Sequence, residues 1–209
     1  MPRSFKQLLE KIVSEKAPGP SPTFSVFHVL RAIELISEKP IGRTKLAENL
    51  VVGEGTTRTI IDRLKEASLI RTSKAGCALT KKGIKFWQEY KSVFEKKVEI
   101  GQNELTLANF SFAILVKNCA HKVRSGLEQR DAAVMTGAKG ATTIMRKNGC
   151  LIIPSVSENV VKDFPKAASQ AIRLLHPKEN DVAIIVSADT LAKAEYGALA
   201  AAWTLLNNC

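Results

Sequence analysis

The sequence predicts an α+β protein of two domains, on three observations. At 209 residues the chain is longer than one small core needs. A 3.6-residue apolar period runs through the first hundred residues, interrupted by one short hairpin. Beyond Gly101 the pattern changes to near-continuous apolar runs alternating with helical stretches. The expected division is therefore a helical domain with a linking helix over residues 1–100 and a two-layer α+β sandwich over 101–209. Hydrophobic residues make up 45% and charged residues 24%, as in ordinary soluble globular proteins.

Phe5, Leu8, Leu9 and Ile12 stand at helical spacing within residues 3–14. Three prolines within Ala17–Pro22 stop that helix. The period resumes over Thr23–Ser37, with Val26, Phe27, Leu30, Ile33 and Ile36 on one side. Pro40-Ile41-Gly42 is a turn, Arg43–Leu50 a short helix with Leu46 and Ala47 inward, and Val51–Glu54 the next turn. In the helix that follows, Thr57, Ile60, Ile61, Leu64 and Ala67 share an apolar face. Gly55, Thr56, Arg58, Thr59, Asp62 and Lys65 hold the first turn and the other side. An extended Leu69–Thr72, a turn at Lys74-Ala75-Gly76 and a strand at Cys77–Thr80 form a basic hairpin. Thr80 can cap a helix expected over Lys81–Val98, apolar at Ile84, Phe86, Trp87, Tyr90, Val93, Phe94 and Val98.

In the second half Leu105–Leu107 and Phe110–Val116 read as strands and Ala120–Thr136 as a helix stopped by Gly137. Ala141–Lys147 and Cys150–Pro154 are strands joined by Asn148-Gly149, a strong hairpin signal. A helix over Pro165–Leu175, a strand over Asp181–Ser187 and an Ala-rich helix over Asp189–Leu206 complete the chain. This order fits either a ferredoxin-like plait or a strand-strand-helix-strand-strand-helix sandwich.

The stretch IGRTKLAENLVVGEGTTRTIIDRLKEASLIRTSKAGCALTKKG resembles the winged helix-turn-helix domain of many bacterial and archaeal transcription regulators. RLKEASLI matches the family's usual entry into the wing, with Ser68 where Gly is commoner, and LTKKG opens the following helix. Together with GLEQRDAAVMTGAKGATTIMRKNGCLIIPS at positions 126–155, the chain resembles archaeal two-domain regulators whose carboxy-terminal half has no assigned chemistry. The resemblance implies a DNA-binding transcriptional regulator and brings no catalytic residues with it.

The charge agrees with that implication. The chain carries +11, and residues 1–100 hold 19 Lys/Arg against 11 Asp/Glu, while 101–209 hold 12 against 9. A field concentrated on the first half favours polyanions through phosphate contacts, although an inert basic surface would carry the same count. Arg58 is the first choice for a base contact, because its fork can take two acceptors on guanine. Thr56 and Thr59 suit phosphate or the thymine methyl, and Arg43, Lys45, Lys74 and Lys81 suit phosphates. Asp62, Arg63 and Lys65 complete the expected contact set on duplex DNA. A homodimer is expected, since two-fold pairing doubles the contacts. The helix around Trp87, Tyr90 and Phe94 and the closing helix with Tyr196 and Trp203 are candidate surfaces.

In the second half, Arg130 and Asp131 precede a Gly-Ala-Lys-Gly-Ala-Thr-Thr run containing Lys139, Thr142 and Thr143. Two cations, two hydroxyls and Gly-rich backbone amides could hold a small anionic effector, though a tight helix-to-strand turn explains the glycines equally. No nucleophile–base–orienter set stands out, so an enzyme acting on a small anion is a remote alternative, and an RNA-binding, translation-associated protein is another. His28, His121 and His176 are expected to be structural. Four scattered cysteines give no zinc spacing, so buried free thiols, no cofactor and a reducing cytoplasm are expected. No stretch is long and apolar enough to predict a membrane span.

Overall fold

The computed structural model describes residues 3–14 and 23–206; the expected break at Ala17–Pro22 lies outside them. The chain divides into two compact units, Met1–Tyr90 and Lys91–Cys209.

The first unit runs α1 (Arg3–Val13), α2 (Val26–Glu38), α3 (Arg43–Leu50), α4 (Glu54–Glu66), β1 (Ile70–Ser73), β2 (Gly76–Leu79) and α5 (Lys81–Val93), whose last turn enters the second unit. The periodic apolar positions make its core: Phe5 and Leu9 of α1, Leu30 and Ile33 of α2, Leu46 of α3 and Leu64 of α4 are buried. Phe5 stacks on Phe86 of α5 with ring centroids 4.4 Å apart. The pair β1–β2 is antiparallel, with Ile70 opposite Leu79 and Ser73 opposite Gly76. Ile41 adds a single bridge to Cys77, its N–H donating to the Cys77 carbonyl at 3.1 Å and its carbonyl accepting from Cys77 at 2.8 Å. Thr80 Oγ1 accepts from the Gly83 N–H at 3.1 Å and caps α5. Gly83 lets α5 cross the Leu69 carbonyl at a point where a Cβ would overlap the oxygen.

The second unit is built on β3 (Phe94–Ile100), β4 (Phe110–Val116), β5 (Gly140–Lys147), β6 (Cys150–Ile152) and β7 (Val182–Ala188), in the spatial order β3-β4-β7-β5-β6 with every neighbour antiparallel. Its helices are α6 (Leu127–Met135), α7 (Val160–Asp163), α8 (Pro165–Leu175) and α9 (Leu191–Thr204). Ala113, Leu115, Ile144, Ala183 and Ile185 face one way, into a cluster with Val160, Ala168 and Leu175 of α7 and α8. The alternate residues face α6 and α9, as expected from the two-residue period of a strand. β4 is buried from Ser111 to Val116 and β7 along its whole length, because both faces of the sheet are covered.

The α+β class holds, with corrections to the elements. Helices cover both faces, so the second unit has three layers where two were expected. The plait is not formed: it would pair β4 with β6, whereas β7 pairs with β5 and leaves the short β6 at the edge. The strand-strand-helix-strand-strand-helix order is present, but its first strand is β3, not Leu105–Leu107. Residues 94–98, expected as helix, pair with β4 instead. Leu105–Leu107 lies in a turn held by its own side chains: Asn103 Oδ1 accepts from the Leu105 N–H at 2.9 Å, and Thr106 Oγ1 donates to Gln102 Oε1 at 2.8 Å. The expected helix Ala120–Thr136 is cut to a 3-10 turn at Ala120–Lys122 and α6, because Gly126 takes φ +81° ahead of Leu127.

In the two candidate dimer surfaces Trp87, Tyr196 and Trp203 are half-buried. Tyr90 and Phe94 are buried, Trp87 stacks on Tyr90 at 4.9 Å, and α9 is buried at Ala194 and over Gly197–Ala202.

Val51 and Ser68 adopt left-handed conformations, with φ 55° and φ 58°. Ser68, one residue past the cap of α4, donates to the Lys65 carbonyl at 2.8 Å while Leu69 donates to the Leu64 carbonyl at 2.9 Å, the bonding of a glycine-type helix stop. Val51, β-branched and 71% exposed in the turn between α3 and α4, is the more strained of the two. Replacing Val51 by Gly should raise stability by roughly 1 kcal/mol, and Ser68→Gly by somewhat less. Thermal melting checks this; lowered midpoints in both variants would contradict it.

Candidate nucleic-acid interface

The site is built by the way α4 docks. Thr57, Ile60, Ile61 and Leu64 are buried, which leaves Gly55, Arg58, Thr59, Asp62 and Lys65 exposed along one side and Thr56 half-buried at its margin. Thr57 Oγ1 donates to the Gly53 carbonyl at 3.2 Å, and Thr59 Oγ1 to the Gly55 carbonyl at 3.2 Å. The second bond turns the Thr59 hydroxyl back to the helix and leaves its methyl as the outward group. Thr56 Oγ1 lies 2.9 Å from Thr23 Oγ1, tying the start of α4 to the residues just ahead of α2. At its other end α4 is held by Lys82, whose ammonium donates to the Ala67 carbonyl at 2.8 Å, a favourable place for a cation.

The cations fall into three groups. Arg43 lies 3.5 Å from Glu54, and Lys45 lies 3.4 Å from Glu48. Both pairs are exposed and worth at most about 1 kcal/mol, so a phosphate can replace the carboxylate. Arg58, Lys74 and Lys81 are exposed and carry no ion pair among the described residues. Arg71 shares that state and was not singled out from the sequence; its signal was its place on β1, exposed next to buried Ile70.

Arg63 belongs elsewhere. Its residue exposure is 9%, its Nη1 donates to the carbonyls of Ile12 and Ser14 at 2.7 Å each, and its guanidinium lies 5.3 Å from the Phe24 ring centroid. The orphan carbonyls at the end of α1 draw this side chain inward, away from any groove. It is a fastener between α1 and α4, not a DNA contact.

The five effector candidates are not gathered. Thr142 and Thr143 are successive strand residues, opposite Ile185 and Ile184, so they point to opposite faces of the sheet. Thr143 is buried on the α6 face, and its hydroxyl finds no partner among the described residues. Arg130 is spent on its neighbour Asp131 at 2.9 Å, and Lys139 lies 3.0 Å from Asp189.

His28 Nδ1 accepts the Ser25 N–H at 3.1 Å at the start of α2, and burial pushes its pKa down. Cys77 and Cys119 are buried free thiols, whereas Cys150 is exposed beside the β5–β6 turn, against expectation. Among the described residues no group of His, Cys, Asp or Glu is placed to hold a metal ion, and no helix is long and apolar enough to cross a membrane.

Within the first unit, the three helices α2, α3 and α4, with a turn between the short α3 and the docked α4, closed by the two-stranded wing β1–β2, have the winged helix-turn-helix architecture. Comparison with known proteins agrees. Residues 25–94 match the CggR N-terminal DNA binding domain, and residues 107–205 match a domain of unknown function, DUF4443. The chain thus joins a domain similar to a known DNA reader to one without assigned chemistry. A solved structure, the hypothetical protein PH0730 from Pyrococcus horikoshii OT3, is 29% identical with a TM-score of 0.72, over 88% of this chain and 94% of that one. No curated protein matches the chain. The expected resemblance to archaeal two-domain regulators holds on these matches.

The division between inward and outward arginines makes a direct prediction. Arg63→Ala should lower stability by about 1.5–3 kcal/mol through lost charged hydrogen bonds. Arg58→Ala should leave the melting midpoint within about 0.5 kcal/mol of the wild type. Equal effects of the two changes in denaturation would contradict the assignment.

Proposed function

We propose that the protein is a transcriptional regulator that lays α4 in the major groove of duplex DNA and acts as a homodimer. The observation that carries the reading is the exposed face of α4, where an unpaired Arg58 projects beside the Thr59 methyl from a helix whose opposite face is locked in the core. The match of residues 25–94 to a DNA-binding domain supports it. Arg58 reads a guanine edge, Thr59 a thymine methyl, and Asp62 and Lys65 lie further along the same face. Arg43 and Lys45 on α3, Arg71 and Lys74 on the wing and Lys81 at the start of α5 hold phosphates, which fixes the register of the helix in the groove. The dimer sets the spacing of two half-sites. No reaction is assigned to the second unit, and the regulator works in the cytoplasm with the duplex it reads. A small anionic effector belongs to the same reading, at a site other than the dispersed Arg130, Asp131, Lys139, Thr142 and Thr143.

Fragments selected from genomic DNA by the purified protein should share a short motif. Arg58→Ala should bind the selected site about 1–3 kcal/mol more weakly and with relaxed specificity. An unchanged affinity and preference would remove α4 from the groove, and a structured RNA that outcompetes the selected duplex would favour the translation-associated alternative.

Sedimentation at high micromolar concentration should show a dimer, with DNA or without it. A monomer under both conditions would contradict the two-fold arrangement.

A further inference from the structure

The first unit contains a cavity of about 510 Å³ bordered by the ends of α1 and α4 and the start of α5. Its walls include Lys11, Arg63 and Lys82 against a single carboxylate, Glu66. Arg63 is the informative residue. It is nine-tenths buried, and both of its hydrogen bonds leave from Nη1, so Nε and Nη2 carry no partner among the described residues. The side chain borders the cavity. Lys11 carries no ion pair among the described residues either. A guanidinium edge with unused donors, fixed by two carbonyls and flanked by two ammonium-bearing side chains, is a receptor for a carboxylate or phosphate head.

A second hollow of about 220 Å³ adjoins it, sharing Leu8 and Lys82 and lined further by the apolar Phe5, Leu69 and Phe86 and the charged Lys85 and Glu89. The pair of hollows therefore offers a cationic end and an apolar end, in the size range of small-molecule sites. We propose that they bind one amphipathic monoanion, with its acidic head at Arg63, Lys11 and Lys82 and a short aliphatic tail along Leu8. Such a ligand bridges the last turns of α1 and α4, and so acts on the seating of the helix that presents Arg58. Only that consequence rests on the DNA-reading role of α4; the binding itself does not.

The test uses the full chain without DNA, so its failure is separate from failure of the regulator reading. Octanoate, octanol and inorganic phosphate are the probes, followed by calorimetry and by thermal shift. Octanoate should bind saturably and raise the melting midpoint, phosphate should bind more weakly, and octanol should do neither. Lys11→Gln, a change at an exposed residue, should weaken octanoate at least fivefold, and Lys82→Gln should do the same. Binding of octanol equal to octanoate, indifference to both lysine changes, or no saturable binding of octanoate at millimolar concentration would each overturn the proposal and leave these cations as helix caps only.

Discussion

Burial of Ile60, Ile61 and Leu64 fixes the rotation of α4, and the rest of the interface follows from that rotation. Each of these side chains is worth about 1.5–3 kcal/mol on burial, against at most about 1 kcal/mol for an exposed pair such as Arg43–Glu54. Apolar docking therefore decides which residues face out, and the polar contacts adjust to it. Arg58, Thr59, Asp62 and Lys65 are outward because a helix that buries positions 57, 60, 61 and 64 has no other choice. Arg63 is the exception that shows the same rule. It lies next to Leu64 on the inward side, and its charge is tolerated there because two carbonyls at the end of α1 receive it.

The amino-terminal unit was legible in the sequence because its helices are apolar on one side only. Spacing alone located the α2 core, the short α3, the docked face of α4 and the hairpin. Even Ser68, conspicuous where Gly is commoner, marked a residue that does adopt a left-handed conformation. Spacing could not locate the destination of Arg63, since its partners are backbone carbonyls 49 and 51 residues away. Nor could it show that Thr142 and Thr143 diverge, because a Gly-rich turn and the start of a strand look alike until the strand has a register.

The second unit was less legible for a related reason. Its sheet is covered on both faces, so β4 and β7 are apolar at every position and give no alternation from which to read pairing. No proline or glycine separates α5 from β3, and the helical period runs on through Phe94 and Val98 by coincidence. Long-range bonds settle the matter instead. Lys97 on β3 meets Glu195 on α9 at 2.5 Å, with both side chains nearly buried, and Asp181 accepts from the Asn118 amide, 63 residues away, at 2.9 Å. Contacts of this span become visible only once the strands are ordered.

The central claim is that the outward face of α4, steadied by the wing, meets DNA. Amide chemical shifts of the isotope-labelled full-length protein, followed during titration with a duplex, test it most directly. The largest changes should fall on Gly55–Lys65 and Arg71–Gly76, with smaller ones on Arg43–Lys45. Changes confined to residues beyond Lys91, with α4 silent, would contradict it.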